Sequence, residues 1–254
     1  MIVALLAALL AGPLPRAHSH NDYQHDRPLF DALERGFCSV EADIWLSSNG
    51  DALLVAHTPF GLEPDRTLQK LYLDPLRHRV KLNHGKVHAD APFFFLLIDV
   101  KTDAKNTAAK LLTVLEDYSD ILTVTRDGRT TPGAVTVVVS GNCDRDSIIN
   151  SKVRYASIDG RPSDLNSDSA AIPWISASWS SQFKWNGTGP MPEAERAKLK
   201  TFVAAAHKHG RKVRFWAAPE KPEVWRELLD ADVDLINSDA LAELQEFLLK
   251  HDRK

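Results

Sequence analysis

The sequence predicts a single (β/α)8 barrel, a closed ring of parallel strands surrounded by helices. Roughly eight stretches of strand character alternate with helical stretches along the 254 residues, and such alternation is typical of a parallel sheet covered by helices. The stretches 92–100 and 134–140 are predominantly apolar, as expected for parallel strands buried on both faces. A length of about 250 residues is also usual for one such barrel.

An open, doubly wound sheet is the competing architecture. It is less well supported, because no glycine-rich dinucleotide-binding loop follows any predicted strand. We therefore expect one barrel domain over 14–254, with irregularity in its fifth and sixth strands.

The first half of the chain is predicted as strand, helix, strand pair, loop and strand. Its strands are rich in apolar and β-branched residues. The helix begins near Pro28 and stops at Gly36, residue types that favour those two positions. The turn 47–50 sends the next strand back antiparallel, and the proline-containing stretch 58–91 is expected to be a long loop. The predicted elements are strands 14–17, 37–46, 51–57 and 92–100, and helix 28–35.

The second half alternates between helices and strands. In the first of these helices, leucines recur at helical spacing along one side. A glycine at 210 closes the helix that starts at 192. The region 151–189 is less regular and holds only short strands. The predicted elements are strands 134–140, 153–158, 173–178, 212–216 and 233–237, and helices 107–118, 192–209, 222–230 and 240–250.

Composition excludes some classes of protein. The net charge is −3 and the isoelectric point is near 6.4, which argues against a nucleic-acid partner, because such partners usually need a basic face. Two cysteines, Cys38 and Cys143, are too few for a disulfide framework.

The first twelve residues form an uncharged apolar run. It has the length of a signal-peptide core and is too short to span a bilayer as a helix. Segment 1–17 is therefore read either as a signal peptide or as an N-terminal segment plus the start of the first strand. The first reading predicts export to the periplasm or the extracellular space, and the second a cytoplasmic protein. Neither includes a transmembrane anchor.

Two carboxylates, Glu41 and Asp43, lie two residues apart in the predicted strand 37–46. Strand side chains alternate between faces, so both point to the same side. Burying them together needs a counter-charge, and a divalent metal held by oxygen ligands supplies one. His18 and His57, on either side in sequence, are able to transfer protons. This combination favours hydrolytic chemistry on phosphate.

Further reactive side chains lie at the predicted C-terminal ends of several strands. In a (β/α)8 barrel these ends meet at one mouth, where catalytic groups lie. A set of such residues indicates a shared site more strongly than any one of them. The residues are His18, Glu41, Asp43, Asp99, Lys101, Asn142, Trp216, Asn237 and Asp239.

The spacing of these residues resembles that of the glycerophosphodiester phosphodiesterase family, within the phosphatidylinositol-phospholipase-C-like superfamily of barrels. The opening 18–23 is most similar to the branch that includes the fungal altered-inheritance-of-mitochondria protein. The resemblance extends over nearly the whole chain. Its matching positions are Ala17-His18, Glu41-Ala-Asp43, His57, Asp99-Val-Lys101, Trp216 and the closing segment 234–239.

The resemblance implies a metal-dependent phosphodiester hydrolase with a (β/α)8 fold. Glu41, Asp43 and Asp99 are expected to hold Mg²⁺ or Ca²⁺, which acts as a Lewis acid on a phosphate oxygen. Lys101 is expected to add a fixed positive charge at that oxygen. The expected substrate is a small phosphodiester or a lysolipid. A lysolipid substrate would imply a role in lipid metabolism. The expected substrate-binding residues are His20, Asn21, Lys101 and Trp216.

Two catalytic histidines are also implied, one as general base and the other as general acid. They are expected to be His18 and His57. His18 is preferred to His20 because Ala17-His18 matches the Ala-His pair of the family; His20 would then bind phosphate or orient His18. By the same resemblance, a neighbouring hydroxyl of the substrate can be the nucleophile, which gives a cyclic phosphate before water attacks.

Three alternatives remain open at this point. A zinc-dependent amidohydrolase-like or phosphatase-like barrel would use His18 and His20 as metal ligands. A degenerate, non-enzymatic barrel would carry a broken acidic set. A sphingomyelinase-D-like transferase shares Asp99-Val-Lys101-Thr102, but the disulfide-tied loop after its second histidine is absent here, so it is an alternative for the substrate only.

Overall fold

The computed structural model describes residues 12–251, which form a closed barrel of eight parallel strands. The strands are β1 Leu14–Ser19, β2 Phe37–Leu46, β3 Leu53–Val55, β4 Phe95–Val100, β5 Val124–Arg126, β6 Arg129–Thr131, β7 Thr136–Gly141, β8 Val153–Arg154, β9 Ala156–Gly160, β10 Trp174–Ser178, β11 Lys212–Trp216 and β12 Leu235–Ser238. The helices are α1 Phe30–Glu34, α2 Asp74–Leu82, α3 Ala104–Glu116, α4 Arg145–Ile149, α5 Trp179–Gln182, α6 Glu193–Lys208, α7 Pro222–Asp230 and α8 Leu241–His251.

The ring runs in the order β1, β2, β4, β7, β9, β10, β11 and β12. It closes because β1 pairs in parallel with both β2 and β12. Strand β3 adds antiparallel to β2, and β5, β6 and β8 form a separate three-stranded sheet. The predicted (β/α)8 barrel is therefore confirmed, and the open sheet is excluded.

The inside of the barrel changes from apolar to polar along the strands. A small apolar cluster separate from the main core consists of Phe95, Leu97, Val138, Trp174 and Leu235, with Phe93 packed against it. Alternate strand residues face the same side, so the next residue that points into the barrel after each apolar residue lies two positions further along the strand. Those following residues are polar on four strands: Asp99, Ser140, Ser176 and Asn237. Apolar side chains thus fill one end of the barrel, and polar groups line its C-terminal mouth.

The predicted loop over 58–91 is wrong. This stretch contains a 3₁₀ helix, Pro59–Gly61, and a π-helix, Gln69–Leu73, that leads directly into α2. Pro75 lies in the first turn of α2, where a missing N–H costs nothing. Helically spaced apolar residues bury the inner face of this segment, namely Leu68, Tyr72, Leu73, Leu76 and Val80. Because proline usually ends a helix, the prolines at these helix starts made the helical pattern look like a loop in the sequence.

Two further segments differ from expectation. The predicted strand 153–158 is divided into β8, which pairs with β5, and β9, which joins the ring. A hairpin of β5 and β6 around Asp127 and Gly128 was not predicted. Both turn residues have positive φ, as an Asp-Gly hairpin turn requires. The Asp-Gly pair in the sequence was therefore a local signal for this hairpin.

Among residues 12–251, no helix has the length and apolar character needed to cross a membrane. The part of the predicted signal segment 1–17 that precedes residue 12 lies outside the described residues.

Candidate active site

A cavity of about 250 Å³ opens at the C-terminal mouth of the barrel. It combines carboxylates, cations, histidines and one large aromatic ring, so it is suited to a small charged ligand. Its lining residues are His20, Asn21, Glu41, Asp43, His57, Asp99, Lys101, Ser140, Gly141, Arg161, Arg214 and Trp216.

Three carboxylates converge on the cavity. Glu41 and Asp43 occupy successive inward positions of β2, and Asp99 of β4 lies directly beside Asp43 in the parallel register. One oxygen from each carboxylate lies within 4.8 Å of the other two. The predicted metal-binding residues are therefore brought together.

The environment of these carboxylates fits a hard divalent cation. Asp43 is 1% exposed, and its Oδ1 has no hydrogen-bond partner among the described residues. Burial raises the pKa of Asp43 and of Asp99, because the charged form is desolvated. An all-oxygen set with one unpartnered buried oxygen is what Mg²⁺ or Ca²⁺ binds.

Gly141, at the end of β7, allows Asp99 to reach this position. Its φ is +72°, a conformation that L side chains rarely adopt. A Cβ here would overlap Oδ1 of Asp99 and the backbone of Val100.

His18 does not line the cavity. Its ring is fully buried, with Nδ1 2.6 Å from Oγ of Ser39 and Nε2 3.4 Å from Oε2 of Glu41. Nη1 of Arg214 lies 3.3 Å from the same Nε2. Burial lowers the pKa of His18 to about 4. A neutral, enclosed ring does not fit the expected acid–base role, and it instead holds the carboxylate of Glu41.

His20 lines the cavity in its place. Its Nδ1 lies 2.9 Å from Oδ1 of Asp239, and its Nε2 lies 3.9 Å from Oε2 of Glu41. Burial alone would lower the pKa of His20, but the hydrogen bond to Asp239 and the negative charge of Glu41 outweigh it and raise the pKa. This histidine is therefore both accessible and favoured in its protonated form.

His57, two residues beyond β3, lies on the other side of the carboxylates. Its side chain is 59% exposed, and its Nδ1 lies 3.6 Å from Oδ2 of Asp43 and 2.9 Å from Oη of Tyr23. Lys101 places its Nζ 3.0 Å from Oδ2 of Asp43 and 3.4 Å from Oδ1 of Asp99. Both residues lie beside the three-carboxylate cluster, as the sequence predicted.

Trp216 and Asn21 complete the predicted set. Trp216 is 40% exposed at the end of β11, and both residues line the cavity. A half-exposed indole offers a flat apolar surface to a ligand.

Sequence reasoning missed an ion-pair network that lines the cavity and continues to the buried Asp159. Arg214 is 3% exposed, and lies 3.4 Å from Oε2 of Glu41 and 3.3 Å from Oδ2 of Asp159. Arg161 also pairs with Asp159, at 3.1 Å. The one local signal for Arg214 is that it lies two residues before Trp216, on the same face of β11.

The zinc alternative is not supported by the donor atoms. Within residues 12–251, the one grouping of three or more candidate ligands is Glu41, Asp43 and Asp99. Neither His18 nor His20 belongs to it, although zinc sites normally contain nitrogen or sulfur ligands.

Comparison with known proteins gives a consistent result. Residues 12–159 match the family model of the AIM6-like phosphodiesterase domain. The chain is 29% identical to altered inheritance of mitochondria protein 6 homolog of Arthroderma benhamiae, over 89% of this chain and 81% of that protein. It is 31% identical to altered inheritance of mitochondria protein 6 of Eremothecium gossypii, over 92% of this chain and 69% of that protein.

Two solved structures have the same fold. A glycerophosphodiester phosphodiesterase from Parabacteroides distasonis superposes with a TM-score of 0.57 at 13% identity, over 95% of this chain and all of that one. A second, from Agrobacterium tumefaciens, gives 0.56 at 17% identity, over 92% of this chain and all of that one.

Proposed function

Because the chain belongs to the AIM6-like phosphodiesterase family, we propose that it is a metal-dependent phosphodiester hydrolase of the glycerophosphodiester phosphodiesterase type. One observation carries the proposal: three carboxylates converge between two histidines and a lysine, and one of their buried oxygens has no hydrogen-bond partner among residues 12–251. This arrangement provides a cation site, a fixed positive charge and two proton-transfer groups around one cavity.

The charge of the cavity supports a phosphodiester over a phosphomonoester. The protonated form of His20 is balanced by Asp239. The other charged groups of the lining cancel, Glu41, Asp43 and Asp99 against Lys101, Arg161 and Arg214. The buried Asp159, which lies behind the lining and pairs with both arginines, leaves one negative charge. A divalent ion and a singly charged phosphodiester together bring this total to zero. A doubly charged monoester would leave an uncompensated charge in a confined site.

Glu41, Asp43 and Asp99 would hold Mg²⁺ or Ca²⁺. The bound ion would supply Lewis acidity toward a non-bridging phosphate oxygen. Lys101, held by Asp43 and Asp99, would add its ammonium charge at the phosphate, where negative charge grows in the transition state.

The two accessible histidines would transfer protons. His57 would remove the proton of the attacking hydroxyl, and His20 would protonate the leaving alkoxide, because Asp239 stabilises its imidazolium form. If the attacking hydroxyl belongs to the substrate, the product is a cyclic phosphate. His18 would keep Glu41 in place rather than react.

The proposed substrates are small phosphodiesters, with glycerophosphodiesters and lysolipids first. Asn21 and Trp216 line the cavity and would contact the alcohol groups on either side of the phosphate. We also propose that residues 14–254 act as one phosphodiesterase domain. Residues 1–17 would direct export, and without export the protein would act in the cytoplasm.

The test is a substrate panel with metal removal. Glycerophosphodiesters, lysolipids, bis(p-nitrophenyl) phosphate and p-nitrophenyl phosphate are assayed with EDTA, and with added Mg²⁺, Ca²⁺ or Zn²⁺. We expect cleavage of at least one diester, its loss with EDTA, and recovery with Mg²⁺ or Ca²⁺. Activity that requires Zn²⁺ and acts on the monoester or an amide would instead favour the zinc-dependent hydrolase.

A further inference from the structure

The hydroxyl of Tyr23 lies at a junction of the site. Its Oη is 2.6 Å from Oδ2 of Asp43, 2.9 Å from Nδ1 of His57 and 2.9 Å from Oδ1 of Asn21. The tyrosine itself is only 3% exposed, and its ring stacks against the ring of His57 with an interplanar angle of 21°. Within the described part of the chain, Tyr23 and Asp43 are the two polar partners of that imidazole.

A tyrosine hydroxyl has one hydrogen to donate and lone pairs that accept. Oδ1 of Asn21 and Oδ2 of Asp43, a metal-binding carboxylate in the proposed function, can only accept, and the contact to Asp43 is the shorter of the two. The hydrogen of Tyr23 therefore goes to Asp43. The contact to His57 is then a hydrogen bond only if Nδ1 of His57 donates to the hydroxyl oxygen.

We propose that Tyr23 is a positioning residue that fixes the tautomer of His57. By accepting the Nδ1 proton, it leaves Nε2 as the nitrogen able to take a proton. The proposal rests on the proposed function, in which His57 is the general base. Without this contact the Nε2–H tautomer, which cannot accept a proton at Nε2, becomes available.

The segment that carries Tyr23 is itself rigidly held. The buried carboxylate of Asp22 accepts hydrogen bonds from Oγ of Ser19, the backbone N–H of Leu29 and Oη of Tyr72, at 2.8, 2.6 and 2.9 Å. The backbone oxygen of Tyr23 accepts from Arg66 at 2.6 Å. The tyrosine hydroxyl therefore has little freedom to leave the junction.

Asn21 extends the support to the second histidine. Its φ is 46°, in the left-handed region where asparagine is enriched. In this conformation its Nδ2 lies 2.9 Å from Nδ1 of His20, and its Oδ1 lies 2.9 Å from Oη of Tyr23. One short segment after β1 thus contacts both proton-transfer groups.

The test reads the tautomer directly. Two-bond ¹H–¹⁵N correlation spectra of the full chain are recorded with Mg²⁺ at a pH above the histidine range, and His57 is assigned with a His57→Gln variant. We expect the wild type to show Nδ1 protonated and Nε2 unprotonated. In Tyr23→Phe we expect the signal to move toward the Nε2–H tautomer. Kinetics on the same samples should show kcat lower by about 10–100-fold at saturating Mg²⁺, as for other orienting partners.

Tyr118→Phe is the matched control. Its hydroxyl also donates to a carboxylate at 2.6 Å, that of Asp74, but it touches neither histidine. This variant should leave both the tautomer and kcat unchanged. A wild-type His57 protonated at Nε2, or a Tyr23→Phe variant with an unchanged tautomer, would overturn the proposal. If the tautomer behaves as expected but His57→Gln keeps full activity, the role of His57 in the proposed function fails instead.

Discussion

At the residue scale, two histidines two positions apart, His18 on β1 and His20 just after it, have opposite environments. His18 is enclosed by Ser39, Glu41 and Arg214, and burial lowers its pKa to about 4. His20 reaches the cavity, and Asp239 and Glu41 raise its pKa despite its burial. Their positions along the barrel axis, and not their residue type, separate a supporting role from a reactive one.

Replacing His20 with alanine tests this assignment. A positioned acid–base group contributes about 10²–10⁴ in rate, so kcat of His20→Ala should fall by about that factor. The measurement is kcat on the best diester at saturating Mg²⁺. The exposed His209, at the end of α6, is the control, and His209→Ala should keep wild-type kcat. A folded His20→Ala variant with normal turnover would remove His20 from the mechanism.

Replacing His18 with alanine should act mainly on stability. It removes buried hydrogen bonds to Ser39 and Glu41 and should lower the free energy of unfolding by about 1–3 kcal/mol. Urea unfolding of wild type and variant, compared with the exposed His209→Ala, measures this difference. An unchanged unfolding midpoint combined with a complete loss of turnover would point back to His18 as the reacting group.

Gly141 gives a third prediction at this scale. Gly141→Ala should destabilise the protein and weaken metal binding, because a Cβ there meets Asp99 and the backbone of Val100. Gly128 is a matched control, since it also has positive φ, +75°, but no atom within 4 Å of its added Cβ. Both alanine variants carry the same kind of backbone strain. Only Gly141→Ala should change Mg²⁺ affinity in titration calorimetry. Equal Mg²⁺ affinity in both variants would contradict the inference that a Cβ at position 141 displaces Asp99.

At the scale of elements, buried charges tie distant strands together. Arg214 on β11 lies between Glu41 on β2 and Asp159 on β9. Asp159 also accepts hydrogen bonds from Ser140 on β7 and Ser176 on β10. Five strands of the ring therefore share one network, three of whose members, Glu41, Ser140 and Arg214, line the cavity. Such a network is costly to break, because each orphaned charge stays desolvated.

Replacing Arg214, the central cation of this network, should show the cost of leaving buried carboxylates without it. Arg214→Met should lower the free energy of unfolding by about 3–5 kcal/mol, since two buried carboxylates, Glu41 and Asp159, lose the buried cation between them. Adding Asp159→Asn should recover part of the loss by neutralising one of them. Arg77→Met is the control, because its pair with Asp120 is exposed and should contribute at most about 1 kcal/mol. Equal losses for both arginines in urea unfolding would mean that the interior network is not energetically distinct.

At the scale of the whole molecule, the three-carboxylate cluster links metal binding to folding. A ligand that binds only the folded state stabilises it by about 2.7 kcal/mol at one hundred times its Kd. Mg²⁺ or Ca²⁺ should therefore raise the unfolding midpoint of the wild type, and EDTA should lower it. Asp43→Asn should abolish this response, whereas the exposed Asp90→Asn should keep it. A midpoint that is insensitive to both ions would contradict the metal site.

Much of the architecture was predictable, because the information is local. Alternating strand and helix patterns indicated the barrel, and the period of two along strands placed Glu41 with Asp43 and Asp99 with Lys101 on one face. The prediction for the segment 58–91 failed for an equally local reason: Pro59 and Pro75 stand at helix starts, where proline does not break a helix. The divided strand 153–158 depends on pairing with β5, which is not encoded within the strand itself.

The sequence by itself determined the barrel, the acidic pair on β2 and the face on which each strand residue lies, because these follow from short-range periodicity. Only the tertiary structure decided how deep each residue lies in the barrel and what it meets across the ring. That depth depends on the stagger between strands: β1 aligns His18 with Ser39 and Asn237, so His20 reaches the mouth. The contacts of Tyr23, Asp159 and Arg214 join residues far apart in the chain, and no local pattern specifies them.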